Sequence, residues 1–146
     1  MSVTIVYFSS SGDTERIAEL LADDLRRRGV RVLLTSLEEA RQSDVSGSDT
    51  VLVGSPAWSG ERVAPPMVDF LTEGLERLRD KRVAFFGSYD WGDGRYFDRL
   101  ADDLRRQGIQ VHHRPLLSQA GRKEAGASEV AAFLDEFLCT ESPSTD

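Results

Sequence analysis

The sequence predicts one α/β domain: a doubly wound parallel sheet of five strands with helices on both faces. Short apolar runs alternate five times with amphipathic segments, which is the pattern of parallel strands connected by helices. A length of 146 residues suits a single domain. Hydrophobic residues make up 40% of the chain, which is enough for a packed core of that size.

The first half of the chain contains two strands and the helix between them. Val3–Phe8 is a short apolar run typical of a buried parallel strand. Residues 14–28 carry an apolar stripe at helical spacing, and Gly29 ends that helix. Residues 30–36 form the second strand, and the polar segment 38–48 predicts a loop or a short helix.

The second half repeats the alternation. The next helix begins at two prolines, which a first helical turn tolerates, and Gly108 ends the one after it. The polar residues 140–146 form a tail that we expect to be disordered, so the domain spans residues 1–139. We expect strands at 49–54, 83–86 and 109–117, and helices at 65–75, 95–107 and 127–138.

Composition narrows the possible partners and location. A net charge of −7 argues against nucleic acid, whose backbone needs a basic surface, and favours basic protein partners. No apolar run approaches the ~20 residues of a membrane helix, and we expect no membrane partner and no signal peptide. The single cysteine, Cys139, cannot form an internal disulfide, so we expect a cytoplasmic protein.

Three loops carry the candidate binding residues, and each follows the carboxyl end of a predicted strand. Sheets of this class bind ligands outside that edge. The first loop offers hydroxyl groups and the N-terminus of a helix, which favours a phosphate dianion. The other two hold the only tryptophans of the chain. The candidate residues are Ser9, Ser10, Ser11, Gly12, Asp13 and Thr14; Pro56, Ala57, Trp58, Ser59, Gly60 and Glu61; and Ser88, Tyr89, Asp90, Trp91 and Gly92.

The convergence of these loops predicts a flat aromatic cofactor that carries a phosphate, and flavin mononucleotide (FMN) fits that description. Each loop alone has a simpler interpretation. A serine-rich turn is often only a helix cap, and a tryptophan in a loop is more often a packing residue. Trp58 and Trp91 at the same edge, each near glycines, favour the cofactor.

The loops also resemble a known family. SSSGDT at residues 9–14 is similar to the phosphate loop Ser/Thr-x-Thr-Gly-Asn-Thr of the short-chain flavodoxins, and GSYDWGDG at 87–94 resembles a clostridial-type member. The resemblance covers nearly all of residues 1–139. It implies a flavodoxin-like fold with strand order 2-1-3-4-5, a final strand at 109–117 without the long-chain insertion, and noncovalently bound FMN. It further implies a monomeric, low-potential one-electron carrier between a flavin reductase and an acceptor such as a P450.

The resemblance also implies roles for individual residues. Trp58 and Trp91 would stack on opposite faces of the flavin ring, and Glu61 would accept a hydrogen bond from flavin N3–H. A backbone carbonyl in the turn that starts at Trp58 would accept from flavin N5–H after a peptide flip. The ring edge and its pyrimidine end would be framed by Ser88, Tyr89, Asp90 and Gly92.

Two positions depart from the family pattern. Asp13 stands where the family has asparagine, and a carboxylate repels a phosphate unless it turns away. We expect Asp13 to cap the helix or to weaken FMN binding. Ser59 stands where glycine usually follows the stacking residue, and Gly60 comes one place later, which suits a type II turn. We therefore expect the peptide flip to cost more here.

Two other functions fit the predicted fold. An FMN-dependent NAD(P)H quinone or nitro reductase is suggested by Pro56 and the run at 64–67, although such enzymes usually add residues for a dimer and a nicotinamide pocket. The second alternative function is that of a nonredox module, such as a maturation factor. Receiver domains need acidic residues after strands 1 and 3, and small phosphatases need a cysteine in the first loop; residues 8–10, 54–55 and 9–14 lack them.

Overall fold

A computed structural model describes residues 1–9, 12–119 and 121–139. Ser10, Ser11 and the predicted tail at 140–146 lie outside the described residues. The strands are β1 (Ser2–Tyr7), β2 (Arg31–Ser36), β3 (Thr50–Gly54), β4 (Ala57–Trp58), β5 (Arg62–Val63), β6 (Arg82–Tyr89), β7 (Gln110–Val111) and β8 (Leu116–Gln119). The helices are α1 (Asp13–Arg27), α2 (Gln42–Ser46), α3 (Pro65–Glu73), α4 (Leu75–Leu78), α5 (Asp98–Arg106) and α6 (Ala127–Cys139).

The main sheet is parallel and confirms the predicted fold class. Its order is β2-β1-β3-β6-β7, and β8 also pairs with β6. Successive residues of a strand point to opposite faces. Ile5 and Phe86 therefore join the core beneath α1 and α6, whereas Val6 and Phe85 join the core beneath α3 and α5. Both faces of the sheet are covered, which explains the continuous apolar runs of the central strands.

The fifth strand is interrupted, so the prediction of one continuous strand at 109–117 was wrong. β7 ends at Val111 and β8 begins at Leu116, although both pair with β6. The N–H of His112 still donates to the carbonyl of Val83 at 2.8 Å, and the ladder then breaks. Pro115 has no N–H to contribute to a ladder, which accounts for a break at this edge of the sheet. The interruption is short and holds no long insertion.

The second structural difference lies between β3 and α3. Residues 57–63 form a small antiparallel hairpin of β4 and β5 that the sequence did not predict. Its strands have only two residues each, too few to show an alternating pattern. The helix predicted at 65–75 ends at Glu73, and α4 follows. The break falls at Gly74, where an added Cβ would meet the side chain of Gln42 at 1.9 Å.

His112 fills the break in the fifth strand. Its side chain is only 2% exposed and makes edge contacts with the rings of Phe133 and Phe137. Its Nε2 lies 3.2 Å from Oε1 of Glu136. Burial lowers the pKa of His112 and outweighs the hydrogen bond to Glu136, which acts in the opposite direction. The exposed His113 lies beside it, with the ring centroids 4.7 Å apart.

Titration of His112 gives the fold a pH dependence. The unfolded chain takes up a proton near the ordinary histidine pKa of about 6.5, whereas the folded chain resists it, so stability decreases as pH falls below that value. We expect His112→Phe, which keeps a ring between Phe133 and Phe137, to flatten this dependence. Urea unfolding between about pH 7 and pH 5 measures the slope. His113→Gln is the matched control and should keep most of the wild-type slope, because burial contributes more than His113 to the lowered pKa of His112. Equal slopes in wild type and His112→Phe would contradict the assignment.

Candidate functional site

Three loops meet at the carboxyl edge of the sheet, and we name them by their order in the chain. The first loop is residues 9–14, the second loop is 56–61 and the third loop is 88–94. The first two follow β1 and β3, whose ends are aligned in neighbouring strands. The third begins inside β6, because the strand predicted at 83–86 extends to Tyr89 and so includes Ser88 and Tyr89. The ring of Phe8 packs edge-on against Trp58 with centroids 5.5 Å apart, so the first two loops are in contact at their base.

The first loop leads into the N-terminus of α1. Gly12 adopts a left-handed conformation with φ of 91°, which glycine tolerates best. Ser9 Oγ accepts hydrogen bonds from the N–H of Gly12 at 3.0 Å and of Glu15 at 3.4 Å. The N–H groups of Asp13 and Thr14 occupy the first two helical positions, which have no acceptor within a helix. This helix end is therefore suited to bind an anion.

Thr14 and Ser88, which were both predicted to contact the cofactor, form a hydrogen bond with each other. The hydroxyls of Thr14 and Ser88 lie 2.9 Å apart. Thr14 is 1% exposed and Ser88 is 6% exposed. These buried side chains join the start of α1 to the third loop, so their hydroxyl groups act within the protein framework.

The side chain of Asp13 forms an ion pair with Arg16, one turn further along α1. Its Oδ1 lies 3.0 Å from Nη2 of Arg16 and accepts from Nε at 3.1 Å. Arg16 Nη1 also donates to the carbonyl of Ala125 at 2.8 Å. The carboxylate is thereby paired with a positive charge, which was not predicted. The Asp13–Arg16 spacing of three residues on a helix was the available signal.

The second loop is the tip of the β4–β5 hairpin. Its turn closes with a hydrogen bond from the N–H of Glu61 to the carbonyl of Trp58 at 3.0 Å. Gly60 has φ of 79° and Ser59 is not among the residues with positive φ. Those signs are the pattern of a type II turn with glycine at its third position. Trp58 itself is half-buried, whereas Ser59 is exposed.

Glu61 connects the second loop with the third. It is the only described non-glycine residue with positive φ, at 52°. A Cβ added to Gly92 would lie 2.6 Å from Glu61 Oε1, so the carboxylate rests against the backbone of the third loop. Gly92 also has φ of 97°, which disfavours a side chain there.

The third loop presents its tryptophan to solvent. Trp91 is 74% exposed, in contrast to the half-buried Trp58. The base of the loop is fixed by Gln119, whose Nε2 donates to the carbonyl of Asp90 at 3.4 Å. The hydroxyl of Tyr89 lies 3.5 Å from Gln119 Oε1. Gln119 was not predicted from the sequence, because nothing local marks the end of the last strand as part of a site.

Comparisons with known proteins point to one family. The family model described as Flavodoxin matches residues 5–132. Flavodoxin from Megasphaera elsdenii is 35% identical over 110 residues, which cover 75% of this chain and 80% of that protein. Flavodoxin from Clostridium beijerinckii is 30% identical over 122 residues, which cover 83% and 88%.

Solved structures of flavodoxins also superpose on this chain. Two-electron reduced flavodoxin from Megasphaera elsdenii superposes with a TM-score of 0.76 at 28% identity, over 88% of this chain and 94% of that one. Oxidised flavodoxin 2 from Bacillus cereus superposes with a TM-score of 0.77 at 26% identity, over 94% and 98%.

Gly92→Ala tests the contact between the second and third loops. The new Cβ would displace the Glu61 carboxylate, so we expect weaker FMN binding in a fluorescence titration. Gly29→Ala is the matched control, because Gly29 also has positive φ but open space around it. Both variants should lose about 1 kcal/mol of stability, and only Gly92→Ala should lose affinity. Equal affinities would show that the contact does not serve the site.

Proposed function

This chain belongs to the flavodoxin family, and we propose that its first, second and third loops hold FMN as the redox centre of a low-potential one-electron carrier. Flavodoxins are electron-transfer flavoproteins that bind FMN noncovalently, and they pass electrons between partner proteins. When bound, FMN supplies the one-electron chemistry, and the protein supplies its position and electrostatic surroundings. The comparisons do not favour the alternative of an FMN-dependent quinone or nitro reductase.

The N-terminus of α1 supports a phosphate site in the first loop. Its first amides have no helical acceptor, and the helix dipole favours negative charge there. Ser9 already caps Gly12 and Glu15, which holds the loop in shape. We assign phosphate binding to the backbone of this loop together with the hydroxyl groups of Ser9, Ser10 and Ser11, whose role as phosphate ligands was predicted from the sequence. Thr14 contributes by fastening the loop to Ser88.

The two tryptophans support a ring site between the second and third loops, and this pair carries the proposal. Trp58 is packed against Phe8 and forms a fixed wall. Trp91 is 74% exposed at the tip of the neighbouring loop. A flat aromatic ring between them would cover indole surface that solvent now contacts, and stacking adds to that gain. Glu61, lying against Gly92, is the proposed acceptor for flavin N3–H.

Negative charge around this ring site supports a low potential. Glu61, Asp90 and Asp93 are exposed in the second and third loops. Adding electrons to a cofactor near carboxylates is disfavoured by repulsion. The same charges, within a chain of net charge −7, favour basic patches on the partner proteins.

We propose a reductase as the electron donor and an acceptor enzyme such as a P450, with the carrier acting as a monomer in the cytoplasm. Basic docking surfaces on both partners would suit its acidic loops. Across the described residues, every helix is too short or too polar to cross a bilayer. The exposed Cys139 is the one cysteine of the chain, which fits a reducing compartment.

FMN titration of the purified apoprotein tests the proposal. We expect micromolar or tighter binding and strong quenching of tryptophan fluorescence. Trp58→Phe and Trp91→Phe should each remove part of the quenching and weaken binding by several-fold, because each replaces an indole by a smaller ring with less surface to stack on the flavin. A chain that binds no FMN at micromolar concentration would refute the proposal. Direct oxidation of NADPH with quinone turnover would favour the reductase instead.

Asp13→Asn tests whether the carboxylate weakens phosphate binding. Arg16 offsets its charge only in part, because the side chain of Asp13 is 28% exposed and shielded by solvent. We expect Asn to tighten FMN binding roughly threefold to tenfold at low salt, and less at high salt. Riboflavin, which lacks the phosphate, is the control ligand and should bind both proteins alike. An unchanged FMN affinity would exclude the repulsion.

Ser59→Gly tests the cost of the peptide flip. A flipped turn of type II′ needs positive φ at the second position, which serine adopts at a cost of about 1 kcal/mol or more. We expect glycine there to widen the gap between the first and second reduction potentials of bound FMN. Ser59→Ala, which keeps a Cβ, should leave the gap unchanged. Spectroelectrochemical titration measures both potentials, and an equal gap in all three proteins would contradict the expectation.

A further inference from the structure

We infer that Tyr96 is a positioning residue for the cofactor, because its hydroxyl sets the spacing between the second and third loops. This inference depends on the proposed FMN site. Tyr96 belongs to none of the three loops and lies between β6 and α5. It acts through the backbone that carries the stacking residues and is not proposed to touch FMN.

The hydroxyl of Tyr96 bridges two strand ends. Its Oη donates to the carbonyl of Ser55 at 2.7 Å and lies 3.4 Å from the carbonyl of Ser88. Ser55 follows the last residue of β3, and Ser88 is the penultimate residue of β6. The second and third loops begin at these points. One buried hydroxyl therefore touches the backbone from which each loop departs.

The strands leave no spare room around this hydroxyl. A Cβ on Gly87 would lie 2.1 Å from Tyr96 Oη and 2.0 Å from the carbonyl oxygen of Ser55. The φ of Gly87 is not positive, so the reason for glycine is the close approach and not backbone conformation. The Tyr96 side chain is also fixed by its neighbours, since the residue is 4% exposed and its ring centroid lies 4.5 Å from that of Phe97.

The two serines whose carbonyls face Tyr96 also make buried hydrogen bonds through their side chains. Ser55 Oγ donates to the carbonyl of Pro56 at 2.9 Å and accepts from the N–H of Ala64 at 3.0 Å, which closes the base of the hairpin. The hydroxyl of Ser88 binds that of Thr14 at the start of α1. Through Ser55 and Ser88, Tyr96 is therefore linked to the hydrogen bonds that hold the base of all three loops.

Burial holds the Tyr96 hydroxyl in its protonated form. Burial raises the pKa of Tyr96 far above the ordinary value for tyrosine. Its one proton therefore remains available for the hydrogen bond to the carbonyl of Ser55, with the carbonyl of Ser88 as the longer second acceptor. Removing the hydroxyl would leave the buried carbonyl of Ser55 without this donor, and the strand ends would adjust their separation to compensate. The distance between the two tryptophan-bearing loops would change with them.

Tyr96→Phe removes the hydroxyl and keeps the ring. The control is Thr4→Val, which removes another buried hydroxyl away from the three loops; Thr4 Oγ1 lies 2.5 Å from Ser48 Oγ and donates to the carbonyl of Asp44 at 2.9 Å. Both variants should unfold at lower urea concentration. Only Tyr96→Phe should weaken FMN binding, by about tenfold, and alter the visible circular dichroism and the reduction potentials of bound FMN.

The outcomes separate this inference from the proposed function. If wild type binds FMN and Tyr96→Phe matches Thr4→Val in affinity, dichroism and potentials, Tyr96 is only structural and the inference is wrong. If wild type binds no FMN, the proposed function is wrong, and the inference that depends on it is wrong as well.

A second measurement needs no variant. In isotope-labelled wild type with FMN, NMR should detect a Tyr96 Hη proton protected from exchange and close to the Hα atoms of Gly87. A hydroxyl proton in fast exchange with water would overturn the inference even if Tyr96→Phe did not fold.

Discussion

The parallel pairing of β1, β3 and β6 is the constraint on which the candidate site depends. Tyr7 aligns with Gly54, so β1 and β3 end side by side, and Gly54 aligns with Phe86 in β6, which continues to Tyr89 along β8. These strands are buried on both faces, which fixes their register through packing as well as hydrogen bonds. Loops that are distant in sequence therefore start within reach of one another, and the chemistry of the edge follows from what each loop carries.

Beneath that edge lies a set of polar groups that satisfy each other. Among the described residues, no buried side-chain nitrogen or oxygen lacks a hydrogen-bond partner. Thr14, Ser55, Ser88 and Tyr96 make these contacts with one another and with backbone carbonyls. Such a network is stiff, because a group that loses its partner in a low-dielectric interior is costly. The atoms left to meet a ligand are helix amides, indole rings and the exposed carboxylates above the network.

The fold was predictable because it follows from local patterns. Apolar runs and helical stripes set most elements, and the order of the strands followed from the family resemblance. The hairpin at 57–63 and the break before Pro115 escaped prediction, since two-residue strands carry no periodicity and an edge strand can stop without a strong signal. Tyr96 escaped for another reason: its partner Ser55 is remote in sequence, and only the folded chain brings them together. The same holds for the contact of Arg16 with Ala125, whereas its pairing with Asp13 could have been predicted from their helical spacing.

The exposure of Trp91 has a consequence for the lifetime of the protein in the cell. An indole that projects from a glycine-flanked loop is an attractive point for proteases and for unwanted association with other chains. A ligand that covers it binds only the folded form and so stabilises that form in proportion to its supply. The share of the chain that stays folded would then rise with the supply of that ligand.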